Sequence, residues 1–481
     1  MKRISWERIW ICFALWGIFI FPVNLPLCAL EKPNIILILA DDLGFGDVGF
    51  NGQKKIQTPC LDQMAEEGIT FPQFYAGAPV CGPSRATLLY GQHTGHAPIR
   101  GNPRWTKSGQ KPELSSDNVL LSHEMKRAGY TNAVFGKWGM NENLETNVGH
   151  PLNQGFDEFC GFNTHVEAHF HWPEFVWDGF EKIIVEPKGR LINYKERSIY
   201  ADDFFQHRAL DFLDRKAGKE PFFMFLCYTI PHLGYTVPTD SSDLYKNKGW
   251  PATSSKSHYY EGDEDVFRAY AGMITRMDRF VGEIRNKLEA LGIGQNTLVL
   301  FTSDNGDELW SDFFDSNGPL RGGKRDLTEG GIRVPTVAVW PEKIEESKEV
   351  NTPFAFWDIL PTFCEVGGIR PVVETDGISF LPTLLGKTNS QKKHPSLYWE
   401  FNEKKGPMQA IRFGNWKAIR TWNKELQNMG KMQLFNLEND LGEQVDVSSK
   451  YSEICQRALK IFEESRTEHP EWPLKPIKPN P

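Results

Sequence analysis

Cysteine is scarce in this 481-residue chain: eight residues, with neither the paired spacing of a zinc site nor the density of a disulfide framework. Long apolar runs are scarcer still. The run from Ile9 to Phe21 is too short to span a bilayer comfortably and follows Lys2, Arg3 and Arg8, so residues 1–29 read as an export signal. Leu25-Pro26-Leu27-Cys28 is a poor match to a lipoprotein box, with lipoprotein anchoring left as the alternative, and no stable membrane partner is expected. A basic surplus is missing as well. The formal charge is −8, and since the first 29 residues carry +2 the remainder stands at −10, which gives no reason to expect nucleic acid as a partner. Internal repeats and long low-complexity tracts are also absent.

What is present is an ordinary globular composition, long enough for one large domain with a sizeable core and a smaller one. Processing of the export signal would leave Cys60, Cys81, Cys160, Cys227, Cys364 and Cys455 in a periplasmic or secreted protein. Short apolar runs alternate with helical patterns and end abruptly in polar or Gly-rich residues, which predicts an α/β domain over residues 30–390, built on a large, mostly parallel mixed sheet. The clearest strands are Asn34–Ala40, Thr131–Phe135, Pro221–Tyr228 and Thr297–Thr302. Tyr270, Ile274, Met277, Val281, Ile284 and Leu288 recur at helical spacing within a helix from about Asp263 to Leu291. The polar stretch from Tyr235 to Asp263 reads as a surface excursion near the substrate mouth. Beyond it, short strands at Ser396–Phe401, Met408–Arg412, Trp416–Thr421 and Met432–Asn436 predict a small antiparallel sheet. A helix around Ser452–Glu464 closes this second domain (391–470), and residues 471–481 form an extended tail.

Parallel sheets place their sites at the carboxyl ends of strands, and here four strands deliver polar residues at that end. They are Asp41-Asp42, Gly136-Lys137, Pro231-His232 and Asp304-Asn305. One such pair is an ordinary turn or helix cap, whereas four on one edge point to a site. Three aspartates and an asparagine offer only oxygen, which suits calcium or magnesium and disfavours zinc. Gathered together, three carboxylates repel one another unless a cation sits among them. Arg85, Lys137 and Lys324 are candidates to neutralise an anionic substrate, and the Gly318-to-Lys324 setting of the last permits close backbone approach. His232 is placed to protonate a leaving oxygen.

Cys81-Gly82-Pro83-Ser84-Arg85, followed by Ala86-Thr87-Leu88-Leu89-Tyr90-Gly91, looks like the sequence read by a formylglycine-generating enzyme, although Pro83 and Ser84 equally suit a first helical turn. Together with Gly136-Lys137-Trp138, Gly155-Phe156-Asp157, Pro231-His232, Thr302-Ser303-Asp304-Asn305-Gly306 and Glu329-Gly330-Gly331-Ile332-Arg333-Val334-Pro335, it resembles the type I, formylglycine-dependent sulfatases of the alkaline-phosphatase-like fold. The resemblance implies that Cys81 is converted by a maturation enzyme to formylglycine (3-oxoalanine). It implies one calcium ion held by Asp41, Asp42, Asp304, Asn305 and the converted Cys81, with Arg85 steadying the aldehyde hydrate. Lys137 and Lys324 would bind sulfate oxygens, and His232 would protonate the departing alcohol. One hydroxyl of the hydrate would attack sulfur, and the second would let sulfate leave with the aldehyde restored.

Two positions depart from the family pattern. Tyr90-Gly91 stands where Thr-Gly is usual, and Gly139 stands where many members have a histidine after Gly-Lys-Trp. A subgroup with Gly-Lys-Trp-Gly also resembles this chain over Thr164–Glu174, which points to His169, or failing that His165 or His171, as the missing imidazole, the alternative being a histidine-rich substrate rim. Trp172, Trp177, Trp310, Phe313 and Phe314 are candidates to stack on a sugar or aryl ring. The expected substrate is a sulfated small molecule or carbohydrate. The competing readings are a phosphodiesterase or phosphonate hydrolase of the same fold and a sulfated-glycan binding protein without catalysis.

Overall fold

In the computed structural model the described residues are 32–478, except 104–105, 111, 187–195, 254–264, 310–311, 345–347 and 404. The export signal, Trp310 and the last three residues therefore lie outside the described residues. In chain order the strands are β1 (Asn34–Ala40), β2 (Ile69–Thr70), β3 (Phe74–Tyr75), β4 (Thr131–Lys137), β5 (Glu158–Phe162), β6 (Phe175–Asp178), β7 (Glu181–Ile184), β8 (Phe222–Cys227), β9 (Thr297–Ser303), β10 (Val337–Val339), β11 (Lys348–Glu349) and β12 (Phe354–Ala355). Ten of them form one sheet in the order β11-β2-β10-β9-β1-β8-β4-β5-β6-β7. Its centre, β9-β1-β8-β4-β5, is parallel throughout.

β1 is apolar along its whole length because both faces of the sheet are covered. Ile36 and Ile38 face a core shared with Leu61 and Met64, the Ala201–Lys216 helix and the Val266–Ala290 helix. Ile35, Leu37 and Leu39 face the opposite core, with Leu88 and Leu89 of the Cys81–Tyr90 helix and Leu360 and Phe363 of the Ile359–Val366 helix. Register matters more to function than strand number. Ala40 lies opposite Ser303, Leu39 opposite Cys227, and Gly136 also opposite Cys227, so β1, β4, β8 and β9 end nearly level. That levelness turns four distant polar pairs into one cluster.

The C-terminal antiparallel sheet is formed by β13 (Leu397–Glu403), β14 (Gly406–Phe413), β15 (Trp416–Asn423), β16 (Asn428–Met429) and β17 (Gln433–Asn436). Ala458 and Phe462 of the Ser452–Glu464 helix pack on it beside Ile411 and Leu434. It is bound tightly to the large sheet's flank, with Trp399 Nε1 donating to the Ala76 carbonyl at 2.9 Å and Arg100 paired with Glu400 at 3.0 Å. From Lys32 onward the chain is one compact unit.

Three expectations need correction. The described part of the 235–263 stretch is a surface excursion only in part: Tyr235, Val237, Ser241 and Tyr245 are buried against the long helix, while Thr239, Asp240, Leu244 and residues 246–249 are exposed. Phe314 is core rather than substrate rim, and Phe313 stacks on Phe267 at 4.4 Å, so neither is offered to a ring. The C-terminal tail is docked: Trp472 is buried, and Asn402 donates to the carbonyls of Pro473 and Lys475.

Candidate active site

Asp41, Asp42, Cys81, Arg85, Lys137, His232, Asp304, Asn305 and Lys324 are all buried and all meet at the carboxyl edge of the sheet. β1 ends at Ala40, and the left-handed backbone of Asp42 (φ 67°) turns it so that two consecutive aspartates face one point. Asp304 follows β9 and accepts from the Asp42 N–H at 3.1 Å. Asn305 donates to Asp42 Oδ1 at 2.7 Å. Behind them, Ser303 Oγ accepts from the Leu43 N–H at 2.9 Å and locks the two strand ends together.

Each acid has a cation. Lys137 donates to Asp41 at 2.5 Å, Lys324 to Asp42 at 2.6 Å, and Arg85 reaches Asp304 at 2.9 Å while also donating to the Lys137 carbonyl at 2.7 Å. Burial would raise the proton affinity of Asp41, but Lys137, with His232, Arg85 and Lys324, overcomes it and holds the acid well below the usual carboxylate range. Asp42 and Asp304 go the other way. Burial pushes Asp42 well above the ordinary value, Lys324 notwithstanding, and burial with the charge of Asp41 lifts Asp304 to about 6.

Cys81 is the first residue of its helix, after the extended Val80, as the helix-start reading of the pentapeptide expects. Asp41, Asp42, Cys81 and His232 each present a ligand atom within 4.8 Å of the others. Burial drives the Cys81 thiol up to about 12 despite Lys137 and Lys324. Asp41 Oδ1 and Asn305 Oδ1 are buried and make no hydrogen bond. Unpaired buried oxygens beside three carboxylates fit a hard divalent cation.

The histidine-rich segment closes over this cluster. His169 stacks on His232, and His165 meets His169 edge-on at 4.9 Å between ring centroids. A side chain at Gly139 would find its Cβ 3.9 Å from both His165 Cα and Lys137 Cε, and Gly139 itself has φ 69°. His165 is thus the histidine beside the space at position 139, while His169 lies over His232. His171 is used differently, spanning Thr229 Oγ1 and the His232 carbonyl at 3.1 Å each, beneath the loop that carries His232.

Comparison with known proteins decides the family. A sulfatase family profile matches residues 33–369, and one for the N-sulphoglucosamine sulphohydrolase C-terminal region matches residues 322–468. The chain belongs to the sulfatase family. Among similar relatives is mouse N-acetylgalactosamine-6-sulfatase, at 32% identity over 82% of this chain and 73% of the relative. The human N-acetylgalactosamine-6-sulfatase is 31% identical over 91% and 86%. The crystal structure of Ps i-CgsB, also solved in complex with k-i-k-neocarrahexaose, superposes with a TM-score of 0.74 at 28% identity, covering 92% of this chain and 95% of that one. This sulfatase is an enzyme of the type I, alkaline-phosphatase-like class and a hydrolase of sulfate esters.

Two groups of this sulfatase's site escaped the sequence reading. Glu308 accepts from Lys324 at 2.7 Å and from Arg325 at 2.6 Å. The acidic run from Asp304 to Glu308 was a signal for the first, but nothing local told which of its members turns inward. Arg325, next to Lys324, has φ 75°, a conformation invisible to residue type.

Proposed function

We propose that this sulfatase is exported and removes sulfate from a sulfated carbohydrate, using formylglycine made from Cys81 by a maturation enzyme, and calcium held by Asp41, Asp42, Asp304 and Asn305. The convergence of Cys81 with Lys137, Lys324 and His232 around three buried acids carries this reading. It brings a modifiable nucleophile, two cations for an anion and a proton donor to one point. Calcium, when bound, would polarise the nucleophile and offset charge on sulfate oxygens. The hydrated aldehyde would supply the attacking oxygen and, in its second hydroxyl, the route by which the aldehyde is restored.

This chain's own groups do the remaining work. Lys137 and Lys324 carry three N–H donors each and spend one and two of them on Asp41, Asp42 and Glu308, which leaves donors for sulfate oxygens. Their burial makes those contacts stronger than in water. Arg85, fixed on Asp304 and the Lys137 carbonyl, braces the Cys81 helix against the strand ends. His232 donates to the Leu233 carbonyl through Nδ1 at 3.0 Å, so Nε2, 3.5 Å from Asp42 Oδ2 and 3.7 Å from Glu308 Oε2, must take up a second proton for the ring to act as the acid that serves the leaving oxygen. His165, beside Gly139, is the imidazole that serves where Gly139 has none, and His169 backs the His232 ring.

A carbohydrate substrate is supported by the relatives, whose names specify an N-acetylgalactosamine sulfate, and by the neighbour solved with k-i-k-neocarrahexaose. Trp172 and Trp177 are half-buried beside the histidine segment, Trp172 edge-on to Tyr200 at 5.1 Å and Trp177 donating to Glu167 at 3.3 Å. The test is turnover of matched sulfate and phosphate esters, then of defined sulfated oligosaccharides, with mass spectrometry of the Cys81 peptide from the same preparation. Faster phosphate than sulfate hydrolysis would favour the phosphodiesterase reading. An unmodified thiol in an active preparation would remove formylglycine from the mechanism.

A further inference from the structure

Glu308 touches both cations of the Lys324-Arg325 pair, and its Oε2 lies 3.7 Å from His232 Nε2. Its side chain is 12% exposed. The backbone that carries Lys324 is held by close packing and hydrogen bonds. A Cβ at Gly330 would lie 2.3 Å from the Gly322 carbonyl oxygen, the Lys324 N–H donates to the Asp307 carbonyl at 2.9 Å, and the Arg325 N–H donates to the Pro79 carbonyl at 2.8 Å. The lysine side chain, a flexible four-carbon stem, is not fixed by any of this. Neighbouring residues of an extended chain point apart. The left-handed turn at Arg325 instead brings its guanidinium to the same carboxylate that holds Lys324.

We propose that Glu308 is a positioning residue that aims Lys324 at the substrate's sulfate group, with Arg325 holding the carboxylate in place. The proposal rests on the reading of Lys324 as a sulfate-binding cation. An ammonium group has three N–H bonds in fixed relation. Asp42 takes one at 2.6 Å and Glu308 a second at 2.7 Å, so the third has a defined direction. Asp42 is also a candidate metal ligand, whereas Glu308 gives its two oxygens to Lys324 and Arg325.

A double-mutant cycle on the active enzyme tests this, with an activated aryl sulfate as substrate. Glu308→Gln should lower kcat/KM by about 10- to 100-fold when Lys324 is present, as a misaimed group does. In a Lys324→Ala background the same substitution should change it by no more than about twofold, since coupled residues are non-additive. The inhibition constant of inorganic sulfate should rise in Glu308→Gln, and Glu308→Asp should recover part of the loss. Equal losses in both backgrounds, or an unchanged sulfate inhibition constant beside a reduced kcat/KM, would mean general structural damage and overturn the proposal. Full activity in Lys324→Ala would show that the premise about Lys324 fails, and the proposal with it.

Discussion

His169 lies flat against His232, with ring centroids 4.4 Å apart and planes 7° from parallel. Burial, then Lys324, holds His232 well below the ordinary imidazole value, and burial, then His232, does the same to His169. The stack fixes the plane of the ring that serves the leaving oxygen. His169→Ala should therefore reduce kcat about tenfold on a poor leaving group, with a smaller loss on an activated aryl sulfate that needs little protonation. Unaltered turnover and pH profile would remove His169 from the chemistry. His165→Ala, measured beside it, separates the imidazole at Gly139 from the one over His232.

Cys81→Ser offers one hydroxyl where the mechanism requires two. The variant should accept at most one sulfate and stall, visible as a single sulfated peptide by mass spectrometry without steady-state turnover. Sustained turnover by Cys81→Ser would sink the proposed mechanism.

The acids at the strand ends should make stability depend on a hard cation. Adding calcium at about 100 times its dissociation constant to chelator-treated protein should stabilise it by about 2.7 kcal/mol, read as a rise in Tm. Asp41→Asn should shrink that rise, since Asp41 Oδ1 is one of the buried oxygens without a hydrogen bond. If Tm were indifferent to both calcium and magnesium, the cluster would be no metal site.

Away from the site, Lys417 is fully buried on Glu329 at 2.7 Å, where the C-terminal sheet meets the catalytic core. Burial would raise Glu329, but Lys417, then Arg333 and Arg412, lower it to about 2. A folded value below the unfolded one, near 4.3, adds stability that is fully present above about pH 4.3 and is lost as pH falls towards 2. Glu329→Gln should be less stable than the wild type at neutral pH, and the gap should close over that acid range in denaturant titrations. Lys417→Met, which removes the nearest cation from Glu329 and Glu443 and leaves Glu329 paired with Arg333 at 3.3 Å, should cost up to about 3–5 kcal/mol.

Much of this was legible in the residues themselves. Asn34–Ala40 announces a buried parallel strand through unbroken apolar character, and the structure gives it those bounds. The Asp41-Asp42 and Asp304-Asn305 pairs were legible as a cluster of oxygen donors because both follow strands that end on one edge of a parallel sheet. The 235–253 stretch misled because polarity was averaged over a segment in which Tyr235, Val237 and Tyr245 turn inward. Glu308 was unreadable for a related reason: its role depends on Lys324 arriving from sixteen residues downstream.

By itself, the sequence determined the family, the fold class and the types of chemical group available, because apolar runs, turn residues and short motifs are local properties of the chain. The tertiary structure decided which of those groups meet. Level strand ends placed Asp41 beside Lys137 and Asp304 beside Arg85. Left-handed turns at Asp42 and Arg325 set neighbours to face one way. Among the histidines, His165 came to rest beside Gly139 and His169 on His232. Register, backbone handedness and loop closure are relations between distant segments, and they exist only once the sheet has formed.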